Sequence, residues 1–187
     1  MTTNIYFVRH AKPDFTIKDD ASRPLTKEGK KGAIIVRDFL IEKEIDLIYS
    51  SPYKRTLDTV EPLSDKVNKE IILIDGFRER AVGRWVEDFN EFARNQWNDF
   101  DFKLENGESL NEVQSRNINA LNKVLDESSG KNIVIGTHGT ALSTIINHFD
   151  PYFAYEGFES IKLKMPFIVK FIFDGKKLKN IELIDIL

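Results

Sequence analysis

The residues best suited to chemistry lie near the start of the chain, where an apolar run ends in a positively charged pair. Ile5 to Val8 are consecutive apolar residues, and Arg9 and His10 follow them directly. A short continuous run of this kind is typical of a strand buried on both faces. A buried strand has no structural use for two such side chains, but a crevice at its carboxyl end can use both. We therefore predict half of an anion-binding site at Arg9 and His10.

Three further residues follow predicted strands and complete a candidate constellation: Arg55, Glu79 and His138. Arg55 lies near a predicted helix N-terminus, where a positive side chain opposes the helix dipole. An anion-binding role explains this placement better than helix stability does. Glu79 is flanked by two arginines, which is compatible with a surface salt-bridge cluster or with a catalytic acid at the rim of the crevice.

Two arginines, two histidines and one acid favour phosphoryl transfer over other chemistries. Too few carboxylates accompany the histidines for a metal site, and no serine lies in a predicted strained elbow. The absence of cysteine excludes a thiol nucleophile. A guanidinium group can bind two phosphate oxygens at once, through two parallel hydrogen bonds. A neutral imidazole can attack phosphorus, and a protonated acid can protonate the leaving oxygen.

The elements that must position these residues predict one α/β domain over residues 1–187, a three-layer αβα sandwich with a mostly parallel central sheet. Strands separated by helices form βαβ units, whose strands are parallel. The C-terminal part predicts an antiparallel edge, with two strands paired across the turn at Asp174 to Lys177. The predicted strands cover residues 5–10, 45–50, 70–75, 132–137, 160–164, 167–173 and 181–186.

Two local patterns bear on the site. Ser51 followed by Pro52 predicts a helix that begins with a capping serine and a proline at its first position. Residues 80–107 are rich in aromatic side chains, contain a possible helix at 87–97, and hold more acidic than basic residues. This segment predicts a lid insertion that folds over the crevice, or a helix packed on the core, and we expect both in part.

The bulk composition limits the classes of partner. The chain has 187 residues, 27 basic and 30 acidic, and a formal net charge of -3, so nothing attracts the whole protein to nucleic acid or an anionic membrane. No apolar run approaches the roughly 20 residues needed to span a bilayer, and no signal peptide is evident. We expect a cytoplasmic protein with no nucleic-acid or membrane partner. The sequence leaves the oligomeric state open.

The motif Val8-Arg9-His10-Ala11 resembles the Arg-His-Gly signature of the histidine phosphatase superfamily, which includes phosphoglycerate mutases, broad-specificity phosphatases and phosphohistidine phosphatases. The resemblance extends over essentially the whole chain, because later motifs fall in the order typical of the family. These motifs are Leu25-Thr26 with Gly29, Ser50-Ser51-Pro52 leading to Arg55-Thr56 with Thr59, Arg78-Glu79, Gly107-Glu108-Ser109 and Thr137-His138-Gly139.

The resemblance implies a role for each residue of the constellation. His10 would be the nucleophile that forms a phosphohistidine. Arg9, Arg55 and His138 would bind the phosphoryl oxygens and neutralise their charge. Glu79 would protonate the leaving oxygen and then accept a proton from the hydrolytic water. The resemblance implies no metal and no organic cofactor, because the arginines supply the electrostatic stabilisation.

Some positions depart from the family pattern. Ala11 replaces the usual glycine, and Lys12 to Phe15 replace the hydroxyl residue and asparagine that contact phosphate in many relatives, with Lys12 as a candidate substitute. The leading interpretation is a metal-independent phosphatase that acts on small phosphate esters or a phosphorylated protein. The alternatives are a phosphoglycerate-type mutase and a non-catalytic module that binds a phosphorylated ligand.

Overall fold

The computed structural model describes residues 1–187 and contains one six-stranded sheet with helices on both faces. None of the helices combines the length and apolarity that crossing a membrane requires. The elements in chain order are β1 (Thr2–Arg9), α1 (Lys27–Leu40), β2 (Leu47–Ser50), α2 (Lys54–Val67), β3 (Ile71–Leu73), α3 (Phe89–Asn98), α4 (Leu110–Glu127), β4 (Asn132–Thr137), α5 (Gly139–Phe149), α6 (Tyr155–Ile161), β5 (Phe167–Asp174) and β6 (Lys177–Ile184).

The sheet has the strand order β3-β2-β4-β1-β5-β6, and its first four strands are parallel. β5 runs antiparallel to β1, and β6 runs antiparallel to β5, so the C-terminal edge is antiparallel as predicted. β1 and β4 are therefore both interior strands. Because they are parallel neighbours, with Arg9 opposite Thr137, the residues that follow each strand lie at the same edge of the sheet.

The side chains of β1 supply both hydrophobic layers. Ile5 and Phe7 pack on one face with α4 and α5, whereas Tyr6 and Val8 pack on the other with α1 and α2. This alternation follows from the two-residue period of a strand. All four residues are buried, which explains why an apolar run without polar alternation forms this strand. The predicted three-layer sandwich is thus confirmed.

Three local predictions were wrong. The predicted strand at 160–164 is instead the end of α6 and the turn after it, because Phe158 and Ile161 point to the interior at helical spacing. The third strand covers only Ile71–Leu73 at the edge of the sheet and is followed by a 3-10 turn, so the predicted strand over residues 70–75 was too long. α2 starts at Lys54, not directly after Ser51.

The aromatic segment at residues 80–107 contains α3, close to the predicted helix at 87–97. Ala93 and Trp97 of α3 pack against Leu110 of α4 and Phe158 of α6, forming a separate apolar cluster. The ring centroids of Trp97 and Phe158 are 5.9 Å apart. α3 therefore fits the interpretation of this segment as a helix packed on the core. Trp85, which lies earlier in the segment, is instead 83% exposed.

Candidate active site

The two histidines of the constellation meet at the carboxyl edge of the sheet. His10 follows β1 and His138 follows β4, and the backbone N–H of His10 donates to the carbonyl of Thr137 at 3.1 Å. The centroids of the two imidazole rings are 5.3 Å apart. His138 is also the N-cap residue of α5, so its backbone lies at the positive end of that helix.

His10 is held as a neutral imidazole with one defined tautomer. Its Nδ1 lies 2.8 Å from the carbonyl oxygen of Ala11, and because a carbonyl only accepts, Nδ1 must carry the proton. Nε2 is then the nitrogen with the free lone pair. Burial holds the pKa of His10 well below its usual range, and the positive charges of Arg55 and Arg9 act in the same direction.

Arg9 is a buried guanidinium anchored to the backbone. Its Nη1 donates to the carbonyls of Ile161 and Lys164, at 2.6 and 3.1 Å, while its Nε has no partner. Gly139 permits this position, because a Cβ there would lie 3.1 Å from Cζ of Arg9. Burial lowers the pKa of Arg9 to about 10, with Glu79 opposing the change, so the group stays charged at neutral pH.

Arg55 is 3% exposed and occupies the first turn of α2. Its guanidinium lies 5.0 Å from the ring centroid of Tyr53. Both terminal nitrogens of Arg55 contact Asp20. Nη1 donates to the main-chain carbonyl of Asp20 and lies 3.2 Å from its Oδ1, and Nη2 lies 3.5 Å from its Oδ2. The arginine predicted to bind an anion therefore already holds a carboxylate of the same chain.

His138 is fully buried and fixed by Ser51, whose Oγ lies 2.8 Å from Nε2. Nδ1 of His138 has no partner. Burial and the charge of Arg55 hold the pKa of His138 well below its usual range. Ser51 does not cap α2 because residues 51–53 stay outside the helix, and its hydroxyl is turned to His138 and to the backbone N–H of Tyr53.

The Glu79 carboxyl group lies at the N-terminus of α5. Oε2 accepts from the backbone N–H of Thr140, and Oε1 accepts from that of Ala141, both at 3.1 Å. Oε1 also accepts from the backbone N–H of Arg80 at 2.8 Å. The surface salt-bridge interpretation of Glu79 is wrong, because neither flanking arginine forms an ion pair with it.

The loop that presents Glu79 is fixed by Arg116 of α4. The guanidinium of Arg116 donates to the carbonyls of Gly76, Arg78 and Glu79, at 2.9, 2.8 and 3.1 Å. It also binds both carboxylate oxygens of Glu108, at 2.8 and 3.0 Å. Burial acts to raise the pKa of Glu108, but the hydrogen bonds and charges of its neighbours outweigh this and lower it.

Sequence reasoning did not find Asp20, Ser51 in its present role, or Arg116. Each acts through a contact with a distant part of the chain, and its own neighbours in the sequence carry no signal of it. Lys12, the candidate phosphate ligand, is exposed and pairs with Glu28 at 2.6 Å. Ala11 has no positive φ, so its replacement of glycine introduces no strain.

The arrangement is a polar crevice suited to a tetrahedral anion. Arg9 Nε and His138 Nδ1 are both buried at the edge where Nε2 of His10 has its lone pair, and both lack a partner. Buried polar groups are normally hydrogen-bonded, and these two atoms are free to bond to the oxygens of an anion at this edge. Three other buried atoms, in Arg80, Trp97 and Asn117, also lack a partner. No three His, Asp or Glu side chains form a group that could hold a metal ion.

The structure thus combines a mostly parallel α/β sheet with a buried histidine pair and two arginines at its carboxyl edge. The chain matches the Histidine phosphatase superfamily (branch 1) over residues 5–184, and it belongs to this family.

Relatives with different names share this family. The chain is 29% identical over 148 residues to "Phosphoserine phosphatase 1" of Hydrogenobacter thermophilus, covering 72% of this chain and 70% of the relative. It is 28% identical over 156 residues to "Probable phosphoglycerate mutase GpmB" of Cronobacter sakazakii, covering 76% and 73%. Phosphatase and mutase names therefore both occur among similar proteins.

The fold is also found in a solved structure. The crystal structure of a histidine-to-alanine mutant of phosphoserine phosphatase from Entamoeba histolytica, in complex with phosphoserine, superposes with a TM-score of 0.75. The match covers 96% of each chain at 22% sequence identity. This similarity shows that the whole chain adopts the fold.

Proposed function

We propose that this protein is a phosphatase that hydrolyses phosphomonoesters through a covalent phosphohistidine on His10, without a metal ion. The observation that carries the proposal is the state of His10. Its Nδ1–H is bound to the Ala11 carbonyl and its pKa is lowered, so Nε2 is an unprotonated nucleophile at neutral pH.

The phosphate site that we propose consists of Arg9, Arg55 and His138. Two guanidinium groups and an imidazole N–H supply donors to the nonbridging oxygens and charge to stabilise the transition state. The partnerless Nε of Arg9 and Nδ1 of His138 support this assignment. A phosphate oxygen only accepts, so Nδ1 of His138 would carry a proton and Nε2 would accept the hydroxyl proton of Ser51.

In the first step, Nε2 of His10 forms a bond to phosphorus as the ester P–O bond breaks. The leaving oxygen takes a proton from the Glu79 carboxyl group, since an alkoxide leaves poorly. In the second step, water attacks phosphorus, its proton passes to the Glu79 carboxylate, and the P–N bond breaks. Inorganic phosphate leaves, and His10 and Glu79 return to their starting states.

Oε2 of Glu79 is the oxygen that we propose carries the proton. It accepts one backbone hydrogen bond, whereas Oε1 accepts two. A carboxyl oxygen has two lone pairs, so Oε2 retains one for a proton. The electrostatic effect of Glu79 on Arg9 is consistent with a location beside the phosphate site.

We propose that residues 80–107 form a lid over the leaving group. Arg80 follows Glu79 directly, and its guanidinium lies 4.9 Å from the ring centroid of Phe92. Phe92, Trp85 and Phe102 line an open cavity of about 400 Å³ on this segment, and the lining includes no residue of the phosphate site. The substrate that we propose is a small phosphate ester such as phosphoserine, which a relative's name and a solved complex both indicate for those proteins.

A mutase is the second candidate, supported by the mutase name of one relative. In a mutase the phosphoryl group of the phosphohistidine is transferred to a second hydroxyl group of a phosphoglycerate instead of to water, as the P–N bond breaks. Product analysis with 3-phosphoglycerate separates the two functions. Release of inorganic phosphate supports the phosphatase, and formation of 2-phosphoglycerate without phosphate release supports the mutase.

The test of the proposed function is hydrolysis of an aryl phosphate in the presence of EDTA by the wild type, His10→Ala and Glu79→Gln. We expect wild-type turnover, near-complete loss in His10→Ala, and in Glu79→Gln a greater loss with alkyl than with aryl phosphates. His148→Ala is the matched control, because His148 is exposed at the far end of α5. Equal activity of His10→Ala and the wild type would contradict the proposal. A binding module would instead retain phosphate affinity in His10→Ala and show no turnover in any variant.

A further inference from the structure

The loop between β1 and α1 places a fixed negative charge at the mouth of the crevice. The carboxylate of Asp20 contacts the guanidinium of Arg55 through both oxygens, at 3.2 and 3.5 Å. Its Oδ1 also accepts from Nη1 of Arg23 at 2.9 Å. Asp20 thus lies between two arginines whose charges both lower the pKa of His10.

The loop holds this carboxylate in place through several contacts. Arg23 donates to the carbonyls of Ile17 and Lys18, at 2.8 and 3.2 Å, which closes the loop on itself. The backbone N–H of Lys54, at the start of α2, donates to the carbonyl of Ala21 at 2.9 Å. The position of Asp20 is therefore determined by the loop and by α2, not only by its attraction to Arg55.

Asp20 faces the crevice as well as Arg55. Its side chain remains 47% exposed, although the guanidinium that it contacts is buried. Its charge acts on Tyr53, whose ring centroid lies 5.1 Å from that of His138. A substrate whose phosphoryl group binds Arg55 therefore lies within reach of the charge of this carboxylate.

We propose that Asp20 is a specificity-determining residue that selects phosphate esters by the charge of the leaving group. A second anion on the substrate is repelled by the carboxylate, and an ammonium group is attracted to it. The preferred class is a phosphomonoester whose leaving alcohol is neutral or carries an amine. This inference rests on the proposed phosphatase function and defines its substrate class.

The test uses three primary alkyl phosphates that differ mainly in charge: phosphoethanolamine, glycerol 1-phosphate and 3-phosphoglycerate. Release of inorganic phosphate gives kcat/KM for each substrate with the wild type and with Asp20→Asn, which keeps the size and the hydrogen-bond acceptor. Asp19→Asn is the matched control, because Asp19 is an exposed neighbour whose carboxylate bonds only to Ser22. The control removes the same charge without changing the contact to Arg55.

We expect the wild type to prefer the cationic ester over the neutral ester, and the neutral over the anionic one. Asp20→Asn should lower the kcat/KM ratio of phosphoethanolamine to 3-phosphoglycerate by about fivefold or more, from a unit charge removed within several ångströms. Asp19→Asn should change this ratio by less than about twofold, since exposed charges are screened. Equal effects of Asp20→Asn on all three esters, or equal effects of both variants, would overturn the inference.

Failure of the proposed function gives a different result. If the wild type hydrolyses neither the three esters nor an aryl phosphate, the phosphatase proposal fails. In that case, calorimetry measures the dissociation constants of the same three esters for the wild type and for Asp20→Asn. A charge order that Asp20→Asn removes supports the inference for a binding site, and an order independent of charge overturns it.

Discussion

The support of the Glu79 loop by Arg116 makes a prediction that stability and catalysis test together. Arg116 and Glu108 have side chains that are only 16% and 15% exposed, and Arg116 also binds three loop carbonyls. Replacement by methionine keeps the aliphatic packing but leaves the Glu108 carboxylate and the carbonyls without their donor. Breaking such a pair from one side costs about 3–5 kcal/mol. We expect the lower end, because both side chains retain some solvent contact.

A loss of about 3 kcal/mol should lower Tm by roughly 6–12 °C for a domain of this size. Thermal unfolding measures this shift, and Lys103→Met is the control. The Lys103–Glu112 pair is 45% and 49% exposed, so its loss should cost less than about 1 kcal/mol.

Catalysis should change in a selective way, because Arg116 acts through Glu79 and not on the substrate. We expect Arg116→Met, assayed below its Tm, to lower kcat/KM for alkyl phosphates more than for aryl phosphates, because kcat/KM reports the formation of the phosphohistidine and only poor leaving groups need a proton in that step. A loss of stability below about 1 kcal/mol, or an equal loss of kcat/KM for both leaving groups, would refute the positioning role of Arg116.

Two further predictions concern the histidines. Ser51→Ala removes the hydroxyl that fixes Nε2 of His138, and we expect KM for an aryl phosphate to rise about tenfold with a smaller change in kcat; an unchanged KM would exclude this role of Ser51. Burial lowers the pKa of both His10 and His138 from 6.5, so the unfolded chain takes up protons below pH 6.5 that the folded chain does not. The free energy of unfolding should therefore be fully retained above pH 6.5 and fall below it by about 1.4 kcal/mol per pH unit for each histidine. The acid limb of kcat/KM should likewise lie well below pH 6.5. Denaturation experiments and rate profiles between pH 4 and 8 measure the stability and the rate. An acid limb of kcat/KM near pH 6.5 would contradict the lowered pKa values.

The sheet and the edge at which the candidate residues meet could be predicted from the sequence. The run from Ile5 to Val8 has no polar alternation, which indicates an interior strand, and parallel strands place Arg9-His10 and His138 at the same edge. Ser109 followed three residues later by Glu112 predicts a capping box at the start of α4, and the structure confirms it, because all of its contacts are local.

Features that depend on distant contacts could not be predicted. Ser51-Pro52 has the local pattern of a helix start, but Ser51 instead contacts His138, which is 87 residues away in the chain. Ser160 to Lys164 has a strand-like composition, yet the carbonyls of Ile161 and Lys164 bind Arg9 from the end of a helix and its turn. The contact of Asp20 with Arg55 likewise spans 35 residues, and no local pattern indicates it.

The central claim is that phosphoryl transfer proceeds through His10, and trapping the intermediate tests it most directly. Glu79→Gln should still be phosphorylated by an aryl phosphate, whose leaving group needs no proton, but should hydrolyse the intermediate slowly. Rapid alkaline quenching followed by mass spectrometry of the peptides should then find one phosphoryl group on His10. Turnover without any phosphorylated peptide, or a phosphoryl group on another residue, would contradict the account.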